Sequence, residues 1–120
     1  VKKPTTLYGI RNCDTMKKAR AWLDSHGVDY EFHDYKVAGI DKEKLAGWAS
    51  TVGWEKLLNR AGTTFRKLPA EAVKNLDERR AIELMLTQPS MIKRPVLERG
   101  GQLLVGFRPE DYSKLQALGG

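Results

Sequence analysis

Apolar positions recur along the chain with two different periods, and the changes of period divide it into elements. Thr5, Thr6, Leu7 and Tyr8 form a short strand-favouring run that Gly9 ends. From Cys13 the spacing turns helical: Met16, Ala19 and Leu23 fall on one face, Trp22 widens the stripe, and Gly27 after His26 predicts the stop. Tyr30, Phe32 and Asp34 to Tyr35 surround a second short strand. A helix of this length between two strands predicts a right-handed parallel crossover, so the opening 35 residues read as a βαβ unit.

The middle of the chain is helical in pattern. Asp41 is the expected N-cap of a helix carrying Leu45, Trp48, Ala49 and Val52 before Gly53. A short helical piece at Trp54 to Leu58 follows, and residues 59–69, with their glycine, threonines and closing proline, predict a loop. A further helix is expected from about Asp77 to Gln88, burying Ala81, Ile82, Met85 and Leu86. Two apolar runs, Val96 to Glu98 and Leu103 to Val105, flank a Gly100-Gly101 pair and predict an antiparallel hairpin. Residues 108–118 read as a final helix with a proline and two acids in its first turn, and Gly119-Gly120 as a frayed tail.

This order, βαβ and then ββα, predicts an α/β thioredoxin-like fold: a four-stranded mixed sheet with the first and third strands central. The residues from about 41 to 88 enter as a helical insertion into one domain spanning residues 1–120. The length suits one modest core, and 41% hydrophobic against 30% charged residues is the balance of a soluble globule. No apolar run approaches a membrane span, so no membrane partner is expected, and the single cysteine points to a reducing, cytoplasmic setting. The net charge of +6 favours anionic partners, but its cations are spread along the chain, as on a solvated surface, and no nucleic-acid partner is expected. His26 and His33 share no ligand spacing with Cys13, so no metal site is expected.

The run TTLYGIRNCDTMKKARAWL, with IKRP at 92–95 and GFRP at 106–109, resembles the ArsC arsenate reductase family, which also contains the Spx-type regulators, and within it the YffB branch. The resemblance extends from Leu7 to about Leu118. It implies a nucleophilic cysteine at the start of the first helix, here Cys13, with anion-holding arginines at Arg94 and Arg108. Arg60 is the nearest candidate for a third, one residue out of register. The fold implies a cis proline facing the cysteine, at Pro95, which would turn the backbone of residues 92–94 toward the thiol and leave main-chain groups free for an extended peptide. Two departures stand out. Gly9 replaces the histidine of the family's arsenate reductases, and Met16 replaces the second cysteine of the Spx redox switch.

Elementary chemistry agrees with that assignment. A helix N-terminus favours a thiolate, and the nearby cations Arg11, Lys17, Arg94 and Arg108 would favour it further. Asp14 opposes this, while its carboxylate offers the helix a cap. Arginine forks suit carboxylates and oxyanions, so Arg94, Arg108, Arg60, Asn12 and Lys17 are the candidate substrate-binding residues alongside Pro95. Glutathione, with two carboxylates and a thiol, would satisfy the arginines and resolve an oxidised Cys13. The expected function is a glutathione-dependent thiol oxidoreductase, with glutathione as co-substrate, no tightly bound cofactor, and a small oxidised or disulfide substrate. The alternatives are an arsenate reductase coupled to glutathione and glutaredoxin, and an Spx-like regulator that binds RNA polymerase without a redox switch.

Overall fold

The computed structural model describes residues 5–11 and 13–119, and of residues 115–119 the backbone only. The chain divides into two compact units: residues up to Tyr35 together with those from Arg94 onward, and Lys36–Lys93.

The first unit is built on a mixed sheet. Strands β1 (Thr5–Gly9), β2 (Glu31–Asp34), β3 (Val96–Arg99) and β4 (Gln102–Val105) lie in the order β2-β1-β3-β4. β1 runs parallel to β2 and antiparallel to β3, and β3 pairs antiparallel with β4. The βαβ and ββα halves of a thioredoxin-like fold are therefore present, with the first and third strands central. The β3–β4 hairpin turns on Gly100 and Gly101, and Gly100 takes the positive φ of +60° that such a tight turn requires.

Register explains the core. Phe32 pairs with Leu7, Leu7 with Leu97, and Leu97 with Leu104, so one row of apolar side chains crosses all four strands on one face. Helix α1 (Asp14–Ser25) lays Met16, Ala19 and Leu23 on that row, and Tyr112 of the last helix joins them. All four of these side chains are fully buried. Trp22 packs at the margin, stacked on the exposed His26 and edge-on to Tyr112.

Met16 also packs against Gly9. A Cβ built on Gly9 would lie 2.2 Å from its sulfur and 2.6 Å from its terminal methyl. A side chain at position 9 would have to displace the end of the buried Met16 thioether.

The second unit is helical. It contains α3 (Lys42–Val52), α4 (Trp54–Leu57), α5 (Thr63–Arg66), α6 (Ala70–Val73), α7 (Glu78–Thr87) and a 3-10 turn, Pro89–Met91, and is entered through α2 (Tyr35–Ala38). Asp41 and Asp77 cap α3 and α7, each accepting a main-chain N–H at 2.9 Å from Lys44 and Arg80. Leu45, Trp48 and Ala49 of α3 and Ala81, Ile82 and Met85 of α7 are buried, as their spacing predicts, while Leu86 is only half-buried.

Several expectations are corrected. Residues 59–69 are not wholly loop, since α5 forms one turn there, and α2 and α6 are four-residue turns of the same kind. A single turn shows no repeat of its apolar face and so leaves no period in the sequence. The last helix, α8, runs Pro109–Gly119, so Gly119 belongs to the helix, while Gly120 and the side chains of Leu115 and Leu118 lie outside the described residues.

The contact between Gly9 and Met16 is open to a direct test. Gly9→Ala is expected to destabilise the protein by about 1–3 kcal/mol through overpacking. In a Met16→Ala background the same substitution should cost far less, measured as the shift of the denaturant midpoint. Equal costs in the two backgrounds would contradict the packing.

Candidate functional site

Three chain segments meet at one end of the sheet. Gly9 pairs with Asp34, so β1 and β2 finish side by side, and Val96 pairs with Tyr8, so β3 begins at the same end. Cys13 follows β1, Tyr35 follows β2, and Arg94 precedes β3.

Cys13 is the N-cap residue of α1, with extended backbone angles, and its carbonyl accepts the Lys17 N–H at 3.0 Å. It is half-buried against the core cluster. Its side chain closes no cap hydrogen bond by strict geometry, but the main-chain N–H groups of Met16 and Thr15 face the sulfur and favour its charged form. Burial pushes the Cys13 thiol up. Those two N–H groups, together with the charge and hydrogen bond of Arg94, outweigh it and hold the thiol below its ordinary value of 9.0.

Arg94 is half-buried and joined to the buried Pro95 by a cis peptide bond, so the cis proline expected from the fold is present. The Pro95 carbonyl accepts the Gly106 N–H at 2.8 Å, which ties the segment after β4 to the same corner. Arg108 lies two residues beyond Gly106. Its side chain is exposed, and its carbonyl accepts the N–H groups of Asp111 and Tyr112 at 3.0 and 3.1 Å, opening α8.

The other expected site residues divide as follows. Lys17 is exposed one turn along α1 and meets Cys13 through its main chain. Arg11 turns to other partners: its guanidinium stands 5.9 Å from the Phe32 ring centre, and its main-chain N–H donates to the Asp34 carboxylate at 3.4 Å. The Phe32 ring is also approached by the Arg20 guanidinium, at 5.0 Å. Arg60 belongs to Lys36–Lys93, where it is exposed and lies over the Trp54 ring at 5.5 Å. Asn12 lies outside the described residues. Asp14 does not cap α1, because Cys13 takes the N-cap position and Asp14 the first helical one.

The free main chain expected at residues 92–94 is corrected for the N–H groups of Ile92 and Lys93. Ile92 N–H donates to Pro89 O at 3.0 Å and Lys93 N–H to Leu57 O at 2.7 Å, while Leu58 and Ile92 form an antiparallel bridge. The Lys36–Lys93 unit has taken up those donors itself. Among the described residues no cluster of three or more His, Cys, Asp or Glu side chains could hold a metal ion, and no helix is long and apolar enough to cross a membrane.

Sequence reasoning missed Tyr35. It is fully buried, and burial pushes its hydroxyl far up; Arg94 opposes this and Cys13 and Asp34 reinforce it. The phenol thus lies within the electrostatic reach of the thiol and its arginine. A polar aromatic residue directly after a strand, at the end where α/β sheets build their sites, was the available signal.

The family model described as the ArsC family matches residues 8–115. The chain belongs to the ArsC family. A solved structure of a YffB protein matches this ArsC-family chain with 64% identity and a TM-score of 0.90, over 92% of this chain and 96% of that one. An arsenate reductase (ArsC) related protein from Brucella melitensis is 62% identical with a TM-score of 0.76, covering 96% of each chain. The global transcriptional regulator Spx of Streptococcus agalactiae is 30% identical over 119 residues, 91% of this chain and 86% of its own length. At position 9, where the chain departs from the family's arsenate reductases, a Cβ would meet the end of the Met16 side chain.

The depressed thiol makes folding stability depend on pH. Between the folded value and 9.0 the unfolded chain binds more protons than the folded one, so stability should rise with pH across that window and level off above it. It should be lost as pH falls through the folded value. The difference in unfolding free energy between the wild type and Cys13→Ser should follow this curve, and a flat difference would contradict the depressed thiol.

Proposed function

We propose that the protein is a glutathione-dependent thiol oxidoreductase whose nucleophile is the Cys13 thiolate. The observation that carries this reading is a half-buried thiol at the start of a helix, held below its ordinary value with Arg94 beside it, in a chain with no second cysteine. The Cys13 thiolate attacks one sulfur of a disulfide, the S–S bond breaks, and the other half leaves as a thiolate. Cys13 is left in a mixed disulfide. Because the chain has one cysteine, the second thiol must come from outside.

Glutathione fits that requirement by chemistry. It carries the thiol, and its carboxylates suit the fork of Arg94 and, further out, that of Arg108. When the mixed disulfide joins Cys13 to glutathione, a second glutathione thiolate attacks the glutathione sulfur. That step releases oxidised glutathione and returns Cys13 to its reduced form. Arg94 then has two tasks, lowering the thiol and holding the anionic end of the substrate.

Arsenate reduction would use the same thiolate and arginine on an oxyanion, with glutaredoxin supplying the reducing thiol. The position-9 space filled by Met16 weighs against a histidine-assisted route of that kind. The 30% identity to Spx raises a regulatory reading, but buried Met16 stands where that group's switch needs a thiol.

Incubation with oxidised glutathione should add one glutathione to the wild type by mass, reversible by reduced glutathione, and none to Cys13→Ser. Arg94→Ala should slow the addition at neutral pH by about tenfold or more, the effect of losing one charge-assisted contact. An unmodified wild type would overturn the glutathione assignment. Arsenate-dependent NADPH oxidation, with glutathione and glutaredoxin present, would replace it with arsenate reduction.

A further inference from the structure

We propose that Tyr35 is a positioning residue whose hydroxyl holds the Arg94 guanidinium against the Cys13 sulfur. The strand pairings bring the three residues to one end of the sheet: Tyr35 directly follows Asp34, which pairs with Gly9, and Arg94 enters β3 beside the end of β1. The Tyr35 side chain has no exposed surface, so its hydroxyl must find its partners inside the protein. Charged groups within its electrostatic reach are the Arg94 guanidinium, the Cys13 thiolate and the Asp34 carboxylate.

A phenol suits this task better than a carboxylate would. Arginine has five N–H donors and needs acceptors for those not given to the sulfur or to substrate. A carboxylate acceptor would cancel part of the positive charge that lowers the thiol. The Tyr35 hydroxyl, pushed far above the working range chiefly by burial, accepts a hydrogen bond and leaves that charge undiminished.

The inference rests on Cys13 being the reacting thiolate. Its test needs no substrate, so failure of the glutathione assignment would leave it standing. Tyr35→Phe should raise the Cys13 pKa by roughly 0.5, about threefold in thiolate fraction below the pKa. The same substitution in an Arg94→Ala background should leave the thiol where Arg94→Ala alone puts it. No rise in the wild-type background, or an equal rise in both, would overturn the proposal. A second measurement uses the wild type and does not depend on a variant folding. The Arg94 Nε–H resonance should exchange slowly and show cross-peaks to the Tyr35 ring, and a fast-exchanging signal without them would also overturn it.

Discussion

Strand β1 is hydrogen-bonded on both sides, parallel to β2 and antiparallel to β3, and the residues around the thiol depend on that double pairing. The parallel partner forces a helical crossover, whose first turn must begin where β1 ends. Cys13 therefore sits at a helix N-terminus as a consequence of topology, with main-chain N–H groups directed at its sulfur. The antiparallel partner delivers Arg94 to the same end. A thiol and a cation 81 residues apart in sequence are thus brought together by two strand registers.

The balance at the sulfur is between burial and charge. Half-burial in the core cluster opposes ionisation. Two N–H groups and one guanidinium tip the balance toward the thiolate. Next to them the buried Met16 thioether packs against Gly9. One residue thereby serves the core through its side chain and the thiolate through its N–H.

Much of this was legible before the structure. The period change at Cys13, the Gly100-Gly101 turn and the cap at Asp41 are local signals, and each lies where its pattern predicts. The role of Arg94 was legible only through the family motif, because no local pattern distinguishes it from Arg11, which is nearer in sequence and turns to Phe32 instead. Tyr35 was missed because it reads as the last apolar residue of a strand; its importance arises from the register of β2 against β1. The one-turn helices and the bonding of Ile92 and Lys93 were likewise hidden, since both depend on partners distant in sequence or on stretches too short to show a period.

The central claim is that the Met16 and Thr15 N–H groups, together with Arg94, hold the Cys13 thiol below its ordinary value. Titrating the thiolate absorbance of the wild type and of Arg94→Ala tests it most directly. The account predicts a wild-type value clearly below 9.0 that moves up on removal of the guanidinium. A wild-type value at or above 9.0, or one indifferent to the substitution, would contradict it.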